Sequence, residues 1–446
     1  MKWLSVKAAR LMTALCRKLG RSGSAWPGAA ARAVDPWILK KLAADVTEGI
    51  IVVTSTNGKT TVNNLLYRAL QSQGKRAVCN AEGANMTNGV IAAFLRMADS
   101  HGKVQADWAT LEVDELFTRK IVKKVQPTYL LINNLVRDQL DRCGELDTVA
   151  ATIQKALSFS PKTTVLYDAD DPLVTYVAKN CGHHAKSFGL CETLGSYTGK
   201  NQGSCFCHYC GTELQYHGEH YGRLGDFYCP NCDFARPAPD YQLKDLTIGF
   251  GEQTEFSVNG EMIRSHLPGI YNVYNVLAAY TAAHEAGVST QNFQEALDHY
   301  RPQNGRMEFY QNLKKPLVLN LIKNPDGTNQ AISVVLQDPR PKAVIVIIND
   351  HDNDGNDPSW LWDTDIDLMA SQKENTYYAC GIRRNDLQVR MKYGGLQAKL
   401  CETVQEAIND ALSGDREVVY ILPNYSALAP TKNFLDHLTS NEKEGA

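Results

Sequence analysis

The chain has no hydrophobic run approaching the roughly 20 residues of a membrane-spanning helix, which argues against a polytopic membrane protein. It has no large excess of either charge: 46 Lys and Arg stand against 49 Asp and Glu, and a net charge of −3 argues against wholesale nucleic-acid binding. It has no convincing secretory leader, because MKWLSVKAARLMTALCRKLG keeps basic residues interspersed to its end and lacks a clean apolar centre. Twelve cysteines are therefore read in a reducing, cytoplasmic setting, where clustered thiols serve as metal ligands rather than disulfides. No cysteine sits in a G-x-C-x-G elbow, and none stands out as a nucleophile.

What is present is 446 residues of ordinary soluble composition, 43% hydrophobic and 21% charged, enough for two or three domains. Residues 1–45 form a basic, helical N-terminal segment, with nine Lys and Arg against Asp35 and Asp45. Leu4, Ala8, Leu11, Met12, Leu15 and Leu19 fall on one helix face, with Lys7, Arg10, Arg17 and Lys18 elsewhere. Such a face either packs on the domain behind it, as most amphipathic helices do, or rests on an anionic membrane surface.

GIIVVT (49–54) reads as a strand and TTVNNLLYRALQSQG (60–74) as a helix ending at Gly74. Between them lies STNGKTT, a phosphate loop whose opening glycine is replaced by Val53. Asn57, Gly58, Lys59, Thr60 and Thr61 are the ATP-binding candidates. Backbone N–H groups and the helix N-terminus cradle phosphates, Lys59 reaches the β/γ oxygens and the Thr60 hydroxyl ligates Mg²⁺. Strands near 107–113, 128–134 and 163–172 alternate with helices, the pattern of a doubly wound parallel sheet. Glu112 ends one of them and is a second Mg²⁺ candidate.

CFCHYCGTEL (205–214) and YCPNCDF (228–234) pair Cys207-x-x-Cys210 with Cys229-x-x-Cys232, two knuckles of a structural zinc ribbon at about 200–237. Cys205 is left outside the shell. Glu213, Glu219, Asp226 and Asp233 argue against a nucleic-acid-reading module.

STNGKTT, LEVDE (111–115), NNLVRDQLD (133–141), DADDP (168–172), GIYNVYNVLAA (269–279) and NGRME (304–308) occur in the order seen in Mur ligases. This resemblance, over roughly 48–330, is to ATP-dependent carboxylate–amine ligases, which use a shortened GTNGKT-type loop. It implies an α/β fold: a P-loop ATPase domain over 46–305 carrying the ribbon as an insert, then a Rossmann-like C-terminal domain over 306–446. It further implies that Asn272 and Asn275 contact adenine, Arg306 a phosphate, and that Asp170 lies near the nucleotide. Gln139 stands where the family has a magnesium-binding histidine, so it would ligate only through a neutral oxygen. Lys155 lies at about the distance of the family's carbamylated lysine, and Lys323 where a histidine often sits.

The inserted ribbon, with no recognisable substrate domain ahead of the loop, resembles an amidating branch of the family. There a separate GatD-like glutaminase supplies ammonia, and the ligase subunit converts the D-glutamate of the lipid II stem peptide to D-isoglutamine at the inner face of the membrane. The acidic loop INDHDNDGNDPSWLWD (348–363) begins like a calcium loop, but Leu361 occupies the twelfth position, so an EF-hand is rejected. In the amidating branch an aspartate of this loop completes the partner's Cys–His pair. Asp357 is the first choice for that catalytic role and Asp354 the second, against the plain reading of a solvated acidic loop. The alternatives are a Mur-type ligase adding an amino acid, as in folylpolyglutamate or muramyl-peptide synthesis, and a zinc-ribbon scaffold with a regulatory nucleotide site.

Overall fold

A computed structural model of the chain describes residues 2–19, 23–81, 83–136, 146–192, 205–249, 253–302, 305–311, 313–352 and 354–444. These fall into two compact units, one of the described residues up to Tyr300 and one from Arg301 onward.

The first unit is built on a nine-stranded sheet. Its strands are β1 (Gly49–Thr54), β2 (Ala77–Cys79), β3 (Trp108–Glu112), β4 (Tyr129–Ile132), β5 (Thr164–Asp168), β6 (Ala185–Leu190), β9 (Tyr241–Thr247), β10 (Thr254–Val258) and β11 (Glu261–Ser265). The order is β11-β10-β9-β6-β5-β4-β1-β3-β2, parallel from β2 to β9, with β10 and β11 added antiparallel. β7 (Gln215–Tyr221) and β8 (Leu224–Tyr228) form a separate antiparallel hairpin between β6 and β9 in the chain.

β1 shows why its apolar run is unbroken rather than alternating. Ile50 and Val52 join the core on one side of the sheet, and Ile51 and Val53 join the core on the other. Each such side chain buried contributes about 1.5–3 kcal/mol, and helices covering both faces are what a parallel sheet requires. The helix Lys59–Ser72 follows β1 and stops where Gly74, at φ +78, lets Lys75 N donate to Leu70 O at 3.0 Å.

The second unit holds β12 (Glu308–Tyr310), β13 (Leu317–Leu319), β14 (Lys342–Ile347), β15 (Thr376–Cys380), β16 (Ala398–Leu400) and β17 (Val418–Pro423). Their order is β12-β13-β17-β14-β15-β16, parallel except for β12. Ala343, Ile345 and Ile347 of β14 pack with Ala407, Ile408 and Leu435 from the helices Val404–Ser413 and Tyr425–Glu444.

The helix Lys2–Lys18 departs from one of its two expected arrangements, that with the leucines packed on the domain. It packs on the first unit, but through Ser5, Val6, Ala9 and Cys16. The leucine-bearing face expected either to pack or to meet a membrane is turned outward, with Leu4, Leu11, Leu15 and Leu19 all exposed.

Candidate nucleotide and metal sites

β1 delivers the phosphate loop to the carboxyl edge of the sheet, beside the end of β4. Gly58 has φ +82, and a Cβ there would collide with the Asn275 amide, so conformation and space both require glycine. The loop is tied to the residues after β4. Asn57 N donates to Asn134 Oδ1 at 2.9 Å and Asn134 Nδ2 to Asn57 O at 3.1 Å. Asn133 N donates to Ser55 Oγ at 2.9 Å and Val136 N to Thr56 Oγ1 at 3.1 Å. Lys59 Nζ lies over its own loop, donating to Ser55 O and, at 3.2 Å, to Thr56 O, and it pairs with Glu115 Oε2 at 3.1 Å. Thr60 and Thr61 are buried in the first turn of the helix.

Glu112 ends β3 opposite Val53 of β1. Asn80 grips its backbone, accepting from Glu112 N at 2.8 Å and donating to Glu112 O at 2.7 Å, while Asn85 Nδ2 donates to Glu112 Oε1 at 3.2 Å. The other carboxylate oxygen, Oε2, is buried with no hydrogen-bond partner among the described residues. It and Thr60 Oγ1 each lie 3.9 Å from the point a Cβ on Gly83 would occupy. A buried carboxylate oxygen left unpaired is costly, and a carboxylate with a hydroxyl is the donor set a hard divalent cation takes. The pair therefore fits Mg²⁺. Gln139 lies outside the described residues. Lys155 is exposed in the last turn of the helix Leu146–Leu157, and no described contact brings it to the loop.

Asn272 and Asn275 share a face of the helix Ile270–Glu285, as their spacing requires, and both are buried. Asn275 Nδ2 donates to Asn272 Oδ1 at 3.2 Å, and Asn275 Oδ1 accepts from Asn133 Nδ2 at 3.1 Å. Asn275 thus lies against Gly58 and is linked to the phosphate loop through Asn133, and Asn272 stands behind Asn275.

Asp170, expected near the nucleotide, stands in a buried polar network. It is fully buried, and its oxygens accept from Arg236 Nε at 2.6 Å, Tyr274 OH at 2.5 Å and Leu190 N at 2.9 Å, with His220 Nδ1 at 3.1 Å. Burial alone would raise its pKa; the hydrogen bond from His220, the Arg236 guanidinium and Tyr274 outweigh it and hold the carboxyl below its ordinary range. Arg236 and His220 flank and belong to the cysteine insert, so Asp170 fastens the insert to the sheet. Neither partner was legible beforehand, because each is a lone polar residue distant in sequence.

In the insert the sulfurs of Cys207, Cys210, Cys229 and Cys232 all lie within 4.8 Å of one another. Cys207 and Cys232 are 3.6 Å apart and Cys210 and Cys229 3.4 Å, close to the edge of about 3.8 Å that four thiolates make around zinc at 2.3 Å. Cys205 stands outside the group. Leu214, Phe227 and Phe234 pack beneath Cys207 and Cys229. Tyr209 accepts from Asn180 Nδ2 at 2.6 Å, and Lys179 lies over the Phe234 ring, so the helix Pro172–Asn180 holds the knuckles.

In the second unit, Leu321 N donates to Gly305 O at 2.6 Å and Met307 N to Asn320 Oδ1 at 3.2 Å, placing Arg306 beside the segment leading to Lys323. Both side chains are half-buried. Asn324 caps the helix Pro325–Gln337 through Gly327 N at 2.8 Å.

The acidic loop follows β14 and splits by role. Asp350 pairs with Arg383 at 2.8 Å. Asp354 is buried, accepting from Ser426 N at 2.8 Å and His351 N at 3.2 Å, so it shapes the loop. Asp357 is exposed, caps the 3-10 turn Pro358–Asp363 and accepts from Ser359 N at 2.9 Å and Ser359 Oγ at 2.8 Å, which lower its pKa. Of the two candidates, only Asp357 faces solvent. Trp362 is exposed and stacks edge-on with Tyr393 at 5.7 Å.

Comparison with known proteins bears on the family and the fold. Residues 53–283 match the Mur ligase middle domain, and residues 321–428 match the MurT ligase C-terminal domain. The chain is 32% identical over 440 residues to the lipid II isoglutaminyl synthase (glutamine-hydrolyzing) subunit MurT of Staphylococcus aureus strain COL, covering 96% of each. Against the Streptococcus pneumoniae R6 subunit of the same name, identity is 32% over 437 residues, 97% of this chain and 96% of that one. Among solved structures, a pseudomurein peptide ligase type C from Methanothermus fervidus superposes with a TM-score of 0.66 at 18% identity, over 89% of this chain and 80% of that one. MurF from Thermotoga maritima in complex with ADP gives 0.62 at 14%, over 93% and 85%. At these identities the structural likeness establishes the fold, that of the Mur ligases.

Proposed function

The chain belongs to the Mur ligase family, among the MurT subunits of lipid II isoglutaminyl synthases, and from that premise we propose that it is the ATP-dependent half of a two-subunit amidotransferase. The acceptor in this reading is the α-carboxylate of D-glutamate in the stem peptide of lipid II. That carboxylate attacks the γ-phosphorus of ATP, giving an acyl phosphate and ADP. Ammonia then adds to the acyl carbon, and the tetrahedral intermediate expels phosphate and loses a proton to leave the amide.

The protein's part is positioning and charge neutralisation. Lys59 and the N-terminus of its helix hold the β/γ phosphates, with Asn57, Thr60 and Thr61 completing the loop. Thr60 and Glu112 would hold Mg²⁺, which when bound offsets charge on the transferring phosphoryl group. Asn272 and Asn275 would contact the adenine, Arg306 would meet a phosphate, and the four cysteines would hold a structural Zn²⁺. Ammonia comes from a GatD-like glutaminase partner, and Asp357, accepting from that partner's catalytic histidine, orients the imidazole and stabilises its charged form. The carboxylate acceptor is lipid-borne, which puts the enzyme at the inner membrane face.

The observation that carries the reading is the likeness, over nearly the full length of both chains, to subunits bearing that name. The test is ADP release by the purified chain with lipid II, Mg²⁺-ATP and ammonium chloride. A product mass showing OH exchanged for NH₂ is expected. No reaction with ammonium but turnover with an amino acid would move the chain to the amino-acid-adding ligases.

A further inference from the structure

The helix Lys2–Lys18 buries the wrong side for a helix that merely packs. Leu4, Leu11 and Leu15, spaced seven and four apart, form one stripe, and it points away from the body, with Leu11 75% exposed. An apolar stripe left in water is unfavourable, and monomeric proteins seldom keep one without a purpose.

The charges around it have one sign. Lys7 follows Leu4 by three residues, Lys18 follows Leu15 by three, and Arg17 continues the cationic side; all three are exposed, with no carboxylate partner among the described residues. The only acids of this segment, Asp35 and Asp45, are already paired with Lys41 and Lys2. Trp26 and Trp37 of the same helical layer are exposed too, a residue type favoured at lipid headgroups. Arg10 Nη2, by contrast, donates to Ala98 O at 3.2 Å and holds the helix in this orientation. No helix among the described residues is long and apolar enough to cross a membrane.

We propose that the outer face of the helix Lys2–Lys18 docks the enzyme on an anionic bilayer, its leucines in the headgroup–acyl boundary and Lys7, Arg17 and Lys18 on lipid phosphates. Leucines beside uncompensated cations select this occupant, because a protein groove would take the leucines but leave the cations unanswered. The inference deepens the reading above, in which the acceptor is lipid-borne, yet it rests on the helix itself and fails separately.

The test is co-sedimentation of the full chain with vesicles of phosphatidylglycerol and phosphatidylcholine, or of phosphatidylcholine alone, at low and high salt. Binding is expected only with the anionic vesicles and weakens with salt. Leu11→Ser with Leu15→Ser lowers partitioning by about tenfold or more, and Lys7→Gln with Arg17→Gln and Lys18→Gln does so by a similar factor. Both variants keep the wild-type circular dichroism and amidate a detergent-dispersed acceptor at the wild-type rate. Equal partitioning of wild type and both variants would overturn the proposal. So would absence of vesicle binding, or a leucine-dependent dimer in solution that vesicles do not dissociate. Loss of amidation with intact vesicle binding would instead strike the functional reading alone.

Discussion

Two loops follow parallel strands at carboxyl edges, one in each unit, and they are built in opposite ways. The phosphate loop after β1 is buried and braced from outside: Asn133, Asn134 and Asn275 reach it from distant parts of the chain, and Lys59 is already held over it. The acidic loop after β14 keeps Asp357, the carboxylate proposed to serve the partner, exposed, and among the described residues its side chain is supported only by Ser359, two residues on. A site for a small, highly charged ligand gains from donors fixed beforehand in a dry setting. A side chain offered to another protein must stay reachable, with its final geometry completed by the partner.

The sharpest way to break the contrast is Lys59→Ala. It should lower ATP-dependent amidation by about 10³-fold or more with either nitrogen source, as expected when a phosphate-neutralising cation is lost; near-wild-type turnover would remove the loop from the mechanism. Glu112→Gln comes next. It should cost about 10²-fold in rate and raise the Mg²⁺ concentration needed, while thermal stability holds or rises, because the change discharges a buried carboxylate with one unpaired oxygen. A fall in stability without a change in Mg²⁺ dependence would make Glu112 structural.

Asp170→Asn should act the other way, through the fold. Arg236 would be left buried without its charge partner, and about 3–5 kcal/mol of stability should go, with the rate per folded molecule little changed. The sign with pH follows from the lowered pKa of Asp170: its contribution is present above the unfolded carboxyl pKa and is lost as pH falls through the folded value. A changed KM for ATP at full stability would instead tie Asp170 to the nucleotide. Stripping metal with a chelator should lower the melting temperature through the same insert, and Zn²⁺ should restore it. Asp357→Asn is the smallest change for the ligase itself. Amidation driven by ammonium should stay within about twofold of wild type, while that driven by glutamine in the complex falls by about 10²-fold or more. Equal losses would place the loop in the ligase reaction.

Much of the first unit was legible because its signals are local. The strand–loop–helix around Lys59 and the four cysteines each announce themselves within a few residues, whereas Asn272 and Asn275 were singled out only by the family resemblance. The antiparallel additions β10 and β11 and the edge strand β16 were not foreseen, since these short strands mix polar with apolar residues and lack a continuous apolar run. Asn80 and Asn85, which aim Glu112, were also missed. Their role depends on β2 and β3 lying side by side, a fact of topology that no spacing in the sequence expresses. The N-terminal helix was read correctly as amphipathic, but periodicity identifies a face without saying what lies opposite it.

The position of the cysteine insert has a topological consequence. β6 and β9 are neighbours in the sheet and run parallel, Phe188 beside Tyr241, so the chain leaving the end of one must return along the sheet before entering the other. In an α/β protein that return is ordinarily made by a helix of a dozen or more residues. Here the hairpin and its sulfur cluster occupy the link, making the insert a crossover that the architecture cannot do without. Trimming it to a short turn would therefore demand a new route for the backbone, and loss of a metal held by its four cysteines would be expected to loosen the attachment of β9, β10 and β11 to the rest of the sheet.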